Sequence, residues 1–135
     1  MSGSKSLSSY DYACIRVVPR VEHEEFINAG VILFCRTQRF LGATVWLDED
    51  RVRALCPQID LDEVRQQLEV IVAMCKGAGP VAASGIADTF HWLVAPHSTV
   101  IQCSAVHSGL CHDPKAALEA LAAKIRPNAP SVFSS

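Results

Sequence analysis

The chain has 135 residues, of which 50% are hydrophobic and 19% charged, with a formal net charge of −2 at pH 7. That composition supports one domain with a real core and excludes global disorder. The mild acidity leaves no polyanion footprint, so nucleic acid is disfavoured as a partner, and no apolar run approaches the ~18 residues of a membrane span.

Residues 1–9 are Ser-rich and lack the apolar centre of a secretory signal; they read as a flexible tail, and a cytoplasmic location is expected. Residues 10–126 read as a single domain and 127–135 as a loose tail. Tyr10 to Val18 is the first predicted strand, with Tyr12, Cys14, Arg16 and Val18 on one face and Ala13, Ile15 and Val17 on the other. Pro19 stops it, and a charged connection leads into the most apolar stretch of the chain, ending at Cys35. Its β-branched and aromatic residues predict a strand buried on both faces. Asn28 and Gly30 do not suit a plain core strand. A buried amide must find partners, and a strand glycine marks a bulge or a close backbone approach. A turn over Arg36–Arg39 leads to a third strand from Phe40 to Leu47. Short links make these three strands an antiparallel meander with the second in the middle.

Asp48-Glu49-Asp50 places acid at the start of a short helix that runs to about Leu55. Asp60 and Glu63 form a capping-box-like start for a stronger helix, in which Leu61, Val64, Leu68, Ile71 and Cys75 keep helical spacing. Val81 to Asp88 reads as loop or weak helix. Thr89 to Ala95 and Val100 to Val106 read as two further strands joined by the polar turn Pro96–Thr99, and His107–His112 as a loop. Asp113 followed by Pro114 starts a last helix with Ala117, Leu118, Leu121 and Ile125 on its apolar stripe. The expected fold is α+β: an antiparallel sheet of about five strands, a meander plus a C-terminal hairpin, packed on two to three helices. The six cysteines include no CxxC pair, and Cys14, Cys35 and Cys75 fall in apolar periodic segments. Core thiols in a reducing compartment are preferred to a disulfide framework.

Three segments taken together resemble the bacterial DUF3037 family, whose biochemical function is not established. They are the run from Tyr12 to Pro19, the run from Glu25 to Leu33, and Ala95 to Gln102 with the following Val106 to Leu110. The resemblance spans roughly Tyr10 to Ile125. It implies that the position of His97 is often Arg, so an anion site there would be pH-dependent or weakened in this chain. It also implies a HipA-like kinase encoded nearby as a partner.

Several polar residues require an explanation. Arg16 interrupts an apolar strand. It reads as a snorkelling side chain or a partner for Glu25, with a carboxylate or anion clamp as the functional alternative. Asn28 reads as an amide that pins a neighbouring loop, with substrate orientation as the alternative. In a regular strand Glu25 and Asn28 point to opposite faces. His97, Ser98, Thr99 and Gln102 concentrate donors and acceptors in one turn, where Ser and Thr cap through local bonds. Adjacent His and Ser do not supply triad geometry, and no GxSxG elbow exists. Cys103, His107, Cys111 and His112 have the residue types of a zinc site, but spacings that match no standard knuckle. Loop histidines and core cysteines are preferred, and no metal or cofactor is expected. The preferred function is a non-catalytic interaction or accessory module with a protein partner, using an exposed sheet edge. The rival is a small enzyme or anionic-ligand-binding domain with a pocket around Arg16, Asn28, His97 and Gln102.

Overall fold

The computed structural model describes residues 6–19 and 25–126. Its strands are β1 (Ser8–Val17), β2 (Ile27–Cys35), β3 (Phe40–Val45), β4 (Ile101–Cys103) and β5 (His107–Cys111). Its helices are α1 (Glu49–Leu55), α2 (Leu61–Cys75), α3 (Ile86–Val94) and α4 (Pro114–Ile125), with a 3-10 turn over Pro80–Ser84. The strands form one antiparallel sheet in the order β3-β2-β1-β4, with β5 also paired to β1. The α+β class and the N-terminal meander are as expected. β1 begins at Ser8, two residues inside the stretch read as tail.

Helices cover both faces of the sheet. On one, Ile15, Val17, Ile32 and Phe34 pack against Val64, Leu68 and Ile71 of α2 and Phe90 and Leu93 of α3. On the other, Val31, Leu33, Cys35 and Trp46 pack against Leu118 and Ala122 of α4. β2 is therefore apolar on both sides because both sides are core, and only Asn28 breaks its run of fully buried residues. The helix starts follow the predicted chemistry. Asp48, Asp60 and Asp113 each accept a bond from a backbone N–H in the first turn of their helices, which satisfies an otherwise orphaned donor. Among the described residues no helix is long and apolar enough to cross a membrane.

The C-terminal half differs from expectation in two places. Thr89–Ala95 is not a strand, because Thr89–Val94 belongs to α3 and Ala95 is its C-cap. The β-prone composition is overridden by helical spacing: Ile86, Thr89, Phe90 and Leu93 face the core together. Thr89 donates its hydroxyl to the Gly85 carbonyl one turn back (2.9 Å), and Phe90 stacks on Phe34 at 5.3 Å. The second difference is that no C-terminal hairpin forms. β4 and β5 do not pair with each other but follow one another along the same edge of β1, opposite Ile15–Val17 and Ser8–Tyr12 respectively. His107–Cys111, expected as a loop, is thus a strand.

Ser104 joins the two edge segments. Its backbone N–H donates to the Cys14 carbonyl (2.9 Å), and its Oγ accepts the Cys14 N–H (2.9 Å), standing in for a backbone carbonyl. The ladder is satisfied through the break by a side chain.

Candidate functional site

A bulge in β2 sets the register of the polar residues. Ile15 pairs with Gly30 but Arg16 pairs with Asn28, so Ala29 is the extra residue. Without it Asn28 would stand opposite Val17 and point into the α2 side of the core. With it, Asn28, Arg16 and Gln102 lie side by side across β2, β1 and β4. Directly opposed neighbours have Cβ atoms roughly 4.5–5.5 Å apart. This row lies on the face opposite α2 and α3, since Ile15, Val17, Ile101 and Cys103 take the other side.

Arg16 lays its guanidinium over the ring of Phe26, 4.0 Å from carbon to centroid. Phe26 remains 45% exposed, at the mouth of β2 beside exposed Glu25. The stack explains how a cation persists in an apolar strand. It leaves Nε of Arg16 buried without a partner, and the Oδ1 of Asn28 is in the same state. Asn28 anchors its surroundings through its backbone carbonyl, which accepts the Trp46 indole N–H at 3.0 Å. The loop-pinning bond expected of its side chain is absent at Oδ1. Gln102 donates to the Thr99 carbonyl (3.1 Å).

His97 does not join this row. Its ring stacks on Trp92 with centroids 4.2 Å apart and planes at 19°, and its Nε2 lies 3.3 Å from the Leu93 carbonyl oxygen. It forms a wall of a groove of about 590 Å³ between α2 and the α3–β4 connection, lined also by Gln67, Val70, Met74 and Ser98. Ser98 is fully occupied: its Oγ donates to Gln67 (3.0 Å) and accepts the N–H groups of Val100 and Ile101 (3.2 Å each). It caps the turn, as its residue type predicts.

A family model described as "Protein of unknown function (DUF3037)" matches residues 12–125. The chain belongs to the DUF3037 family. No curated protein and no solved structure matches it. The matched span of this DUF3037 chain includes both the Asn28–Arg16–Gln102 row and the Trp92 groove.

The remaining candidates of the DUF3037 chain are dispersed. Cys103 points to the α3 side, where its Sγ lies 3.7 Å from the Leu93 carbonyl oxygen. Burial pushes its thiol up to about 11, with Cys14 adding to the rise and Arg16 opposing it. His107 is exposed at the start of β5 and its ring lies 5.5 Å from that of Tyr12. Cys111 ends the same strand, its thiol raised by burial first and by Cys35 next. Among the described residues no group of three or more His, Cys, Asp or Glu is placed to hold a metal ion. All six cysteines are free thiols.

Sequence reasoning missed Phe26, Val70, Met74 and Trp92. Trp92 lies in a segment whose composition favours a strand, so its place on the helix carries no local signal. Val70 did carry a signal: it is apolar but lies off the core stripe of α2, which predicts an exposed apolar side chain.

Proposed function

We propose that this domain is a non-catalytic interaction module that docks a partner protein in the groove beside Trp92, acting with a HipA-like kinase encoded beside it. The lining of the groove carries the reading. Val70 and Trp92 are 51% and 43% exposed on its walls, and His97 and Ser98 beside them are engaged in internal bonds. An exposed tryptophan beside aliphatic surface is the type of feature that anchors a partner side chain. Its polar residues include an acid, Glu63, and two glutamines. An apolar anchor flanked by a basic residue suits that rim. Co-expression of the chain with the neighbouring kinase is expected to yield a complex that Val70→Glu disrupts. Failure of the wild-type pair to associate at about 10 µM, a binding free energy of roughly −7 kcal/mol, removes the proposal.

A second reading places a small ligand on the Asn28–Arg16–Gln102 row. The two unpartnered buried atoms favour it, because each leaves a desolvated group unsatisfied at roughly 1–3 kcal/mol. A donor at Arg16 beside an acceptor at Asn28 suits an anionic or carbonyl oxygen next to an N–H, as in a carboxamide or an amino acid. Glu25 at the mouth of β2 would meet the amine of the latter. His97, Ser98, Thr99 and His107 take no part in such a site. Thermal-shift screening of carboxylates and amides tests this reading. No ligand that raises Tm in wild type and fails with Arg16→Lys would remove it.

A further inference from the structure

β3 closes one end of the sheet, and among the described residues no strand pairs with its outer edge. Phe40–Val45 contains no charge and no proline, and it runs in unbroken register with β2 from Gly30↔Val45 to Cys35↔Phe40. Natural sheets guard a free edge with charges, prolines or bulges, and this one has none. Its alternate N–H and C=O groups point away from β2. α2 and α4 flank the edge without covering it. A groove of about 260 Å³ runs along Phe40–Thr44, rimmed by Val72 and Lys76 from α2 and by Lys115 and Glu119 from α4.

We propose that this edge is a homodimer interface, in which β3 of a second copy adds antiparallel about a two-fold axis through Ala43. Two five-stranded sheets then become one continuous sheet. The choice of a second copy rests on self-complementarity, which a two-fold contact requires: residue i meets j, and j meets i.

The strand itself satisfies that requirement. With Ala43 opposite Ala43, Leu41 stands opposite Val45 on the α2 side, where both already pack against the core. Gly42 stands opposite Thr44 on the α4 side, so the centre of the contact is built from small residues that let the strands approach. The flanking helices satisfy it too. A two-fold axis sets α4 antiparallel to its copy. Lys115 and Glu119, exposed and one helical turn apart, then meet Glu119 and Lys115 of the other chain. On the opposite face, Lys76 and exposed Glu69 lie on the same stripe of α2 as Val72 and face each other across the axis in the same way. Opposite charges are thus matched on both helices by one operation. A foreign strand would have no need of that pattern. The Trp92 groove lies on the other flank of α2, so partner docking and dimerisation use separate surfaces.

The test is the solution mass of the full chain alone, by sedimentation equilibrium with reductant present so that no thiol link contributes. A dimer that dissociates on dilution is expected. Lys115→Glu and Glu119→Lys each turn both symmetric contacts repulsive and are expected to weaken the dimer about tenfold. The double variant K115E/E119K restores the pairing and the affinity. Both positions are exposed on a helix, so the variants fold, and circular dichroism verifies it. A monomer at about 1 mM, a dimer indifferent to the single reversals, or a double variant as weak as the singles would each overturn the interface. Because the chain is measured alone, none of these outcomes bears on the partner groove.

Discussion

Gly30 is the position where the close approach of β2 to β3, next to the bulge, can be tested by one methyl group. A Cβ added there would lie 2.6 Å from the Thr44 carbonyl oxygen, 3.0 Å from Cδ1 of Ile15 and 3.1 Å from Cγ1 of Val45. The Ile15 and Val45 side chains can adjust by a few tenths of an ångström. The Thr44 oxygen cannot, because β3 is tied to β2 along its length and α2 and α4 pack on either side. Overpacking of this kind costs roughly 1–3 kcal/mol. The reduced freedom of the unfolded chain offsets about 0.4–1 kcal/mol of that for Gly→Ala. The rigid backbone contact places G30A toward the upper end, at about 2 kcal/mol of net destabilisation, and at roughly 3–5 °C per kcal/mol the Tm falls by about 6–10 °C. Urea unfolding of wild type, G30A and G77A measures it. Gly77 is the control: its φ is +100° and nothing lies within 4 Å of the added Cβ, so its cost is backbone strain alone, about 1–2 kcal/mol. If G30A is as stable as wild type, the close approach of β2 and β3 at the bulge is wrong.

Further outcomes follow from the edge, the thiols and the α1–α2 contact. Ser104→Ala removes the acceptor of the Cys14 N–H and is expected to cost about 1–3 kcal/mol. The Cys14 amide should lose protection in hydrogen exchange, and an unchanged exchange rate would contradict the bridging role. Burial pushes the Cys75 and Cys103 thiols up to about 12 and about 11. Below pH ~9 both folded and unfolded chains hold these protons; above it only the unfolded chain releases them, so stability falls as pH rises. Urea midpoints at pH 8 and 10 should differ less in the double variant C75A/C103A than in wild type, and an equal drop in both would refute the assignment. Arg65 bonds Glu49 at 2.8 Å across α1 and α2 and holds that carboxyl below its ordinary value. The contribution is present above pH ~4.3, the ordinary carboxyl value, and is lost as pH falls through the lowered one. The stability gap between wild type and Arg65→Met should therefore narrow as the pH is lowered into the acid range, and a pH-independent gap would rule out the ion pair as its source.

The elements legible in the sequence are those whose local chemistry and packing agree. α2 and α4 carry an acidic cap residue and helical spacing, and the structure follows both. α3 was not legible because two signals conflict in Thr89–Ala95. Its composition favours a strand, while the spacing of Ile86, Thr89, Phe90 and Leu93 favours a helix, and the contact of Phe90 with Phe34 decides between them. β5 is polar and short, and its strand form depends on β1 being long enough to pair beyond β4. Arg16, Asn28 and Gln102 were visible as polar interruptions, yet their alignment depends on the extra residue at Ala29. A one-residue shift in register moves a side chain to the other face, and nothing local at Asn28 reports it.

The interaction reading is tested most directly by measuring the affinity of the chain for the HipA-like kinase proposed as its partner, in wild type, Val70→Glu and Gln102→Ala. Both changed side chains, Val70 and Gln102, are on exposed positions, so folding is not at stake. A partner seated beside Trp92 should bind Val70→Glu about thirtyfold or more weakly, the scale of a hot-spot loss, and Gln102→Ala as tightly as wild type. Equal affinity for wild type and Val70→Glu, or a loss confined to Gln102→Ala, would contradict the groove as the docking surface.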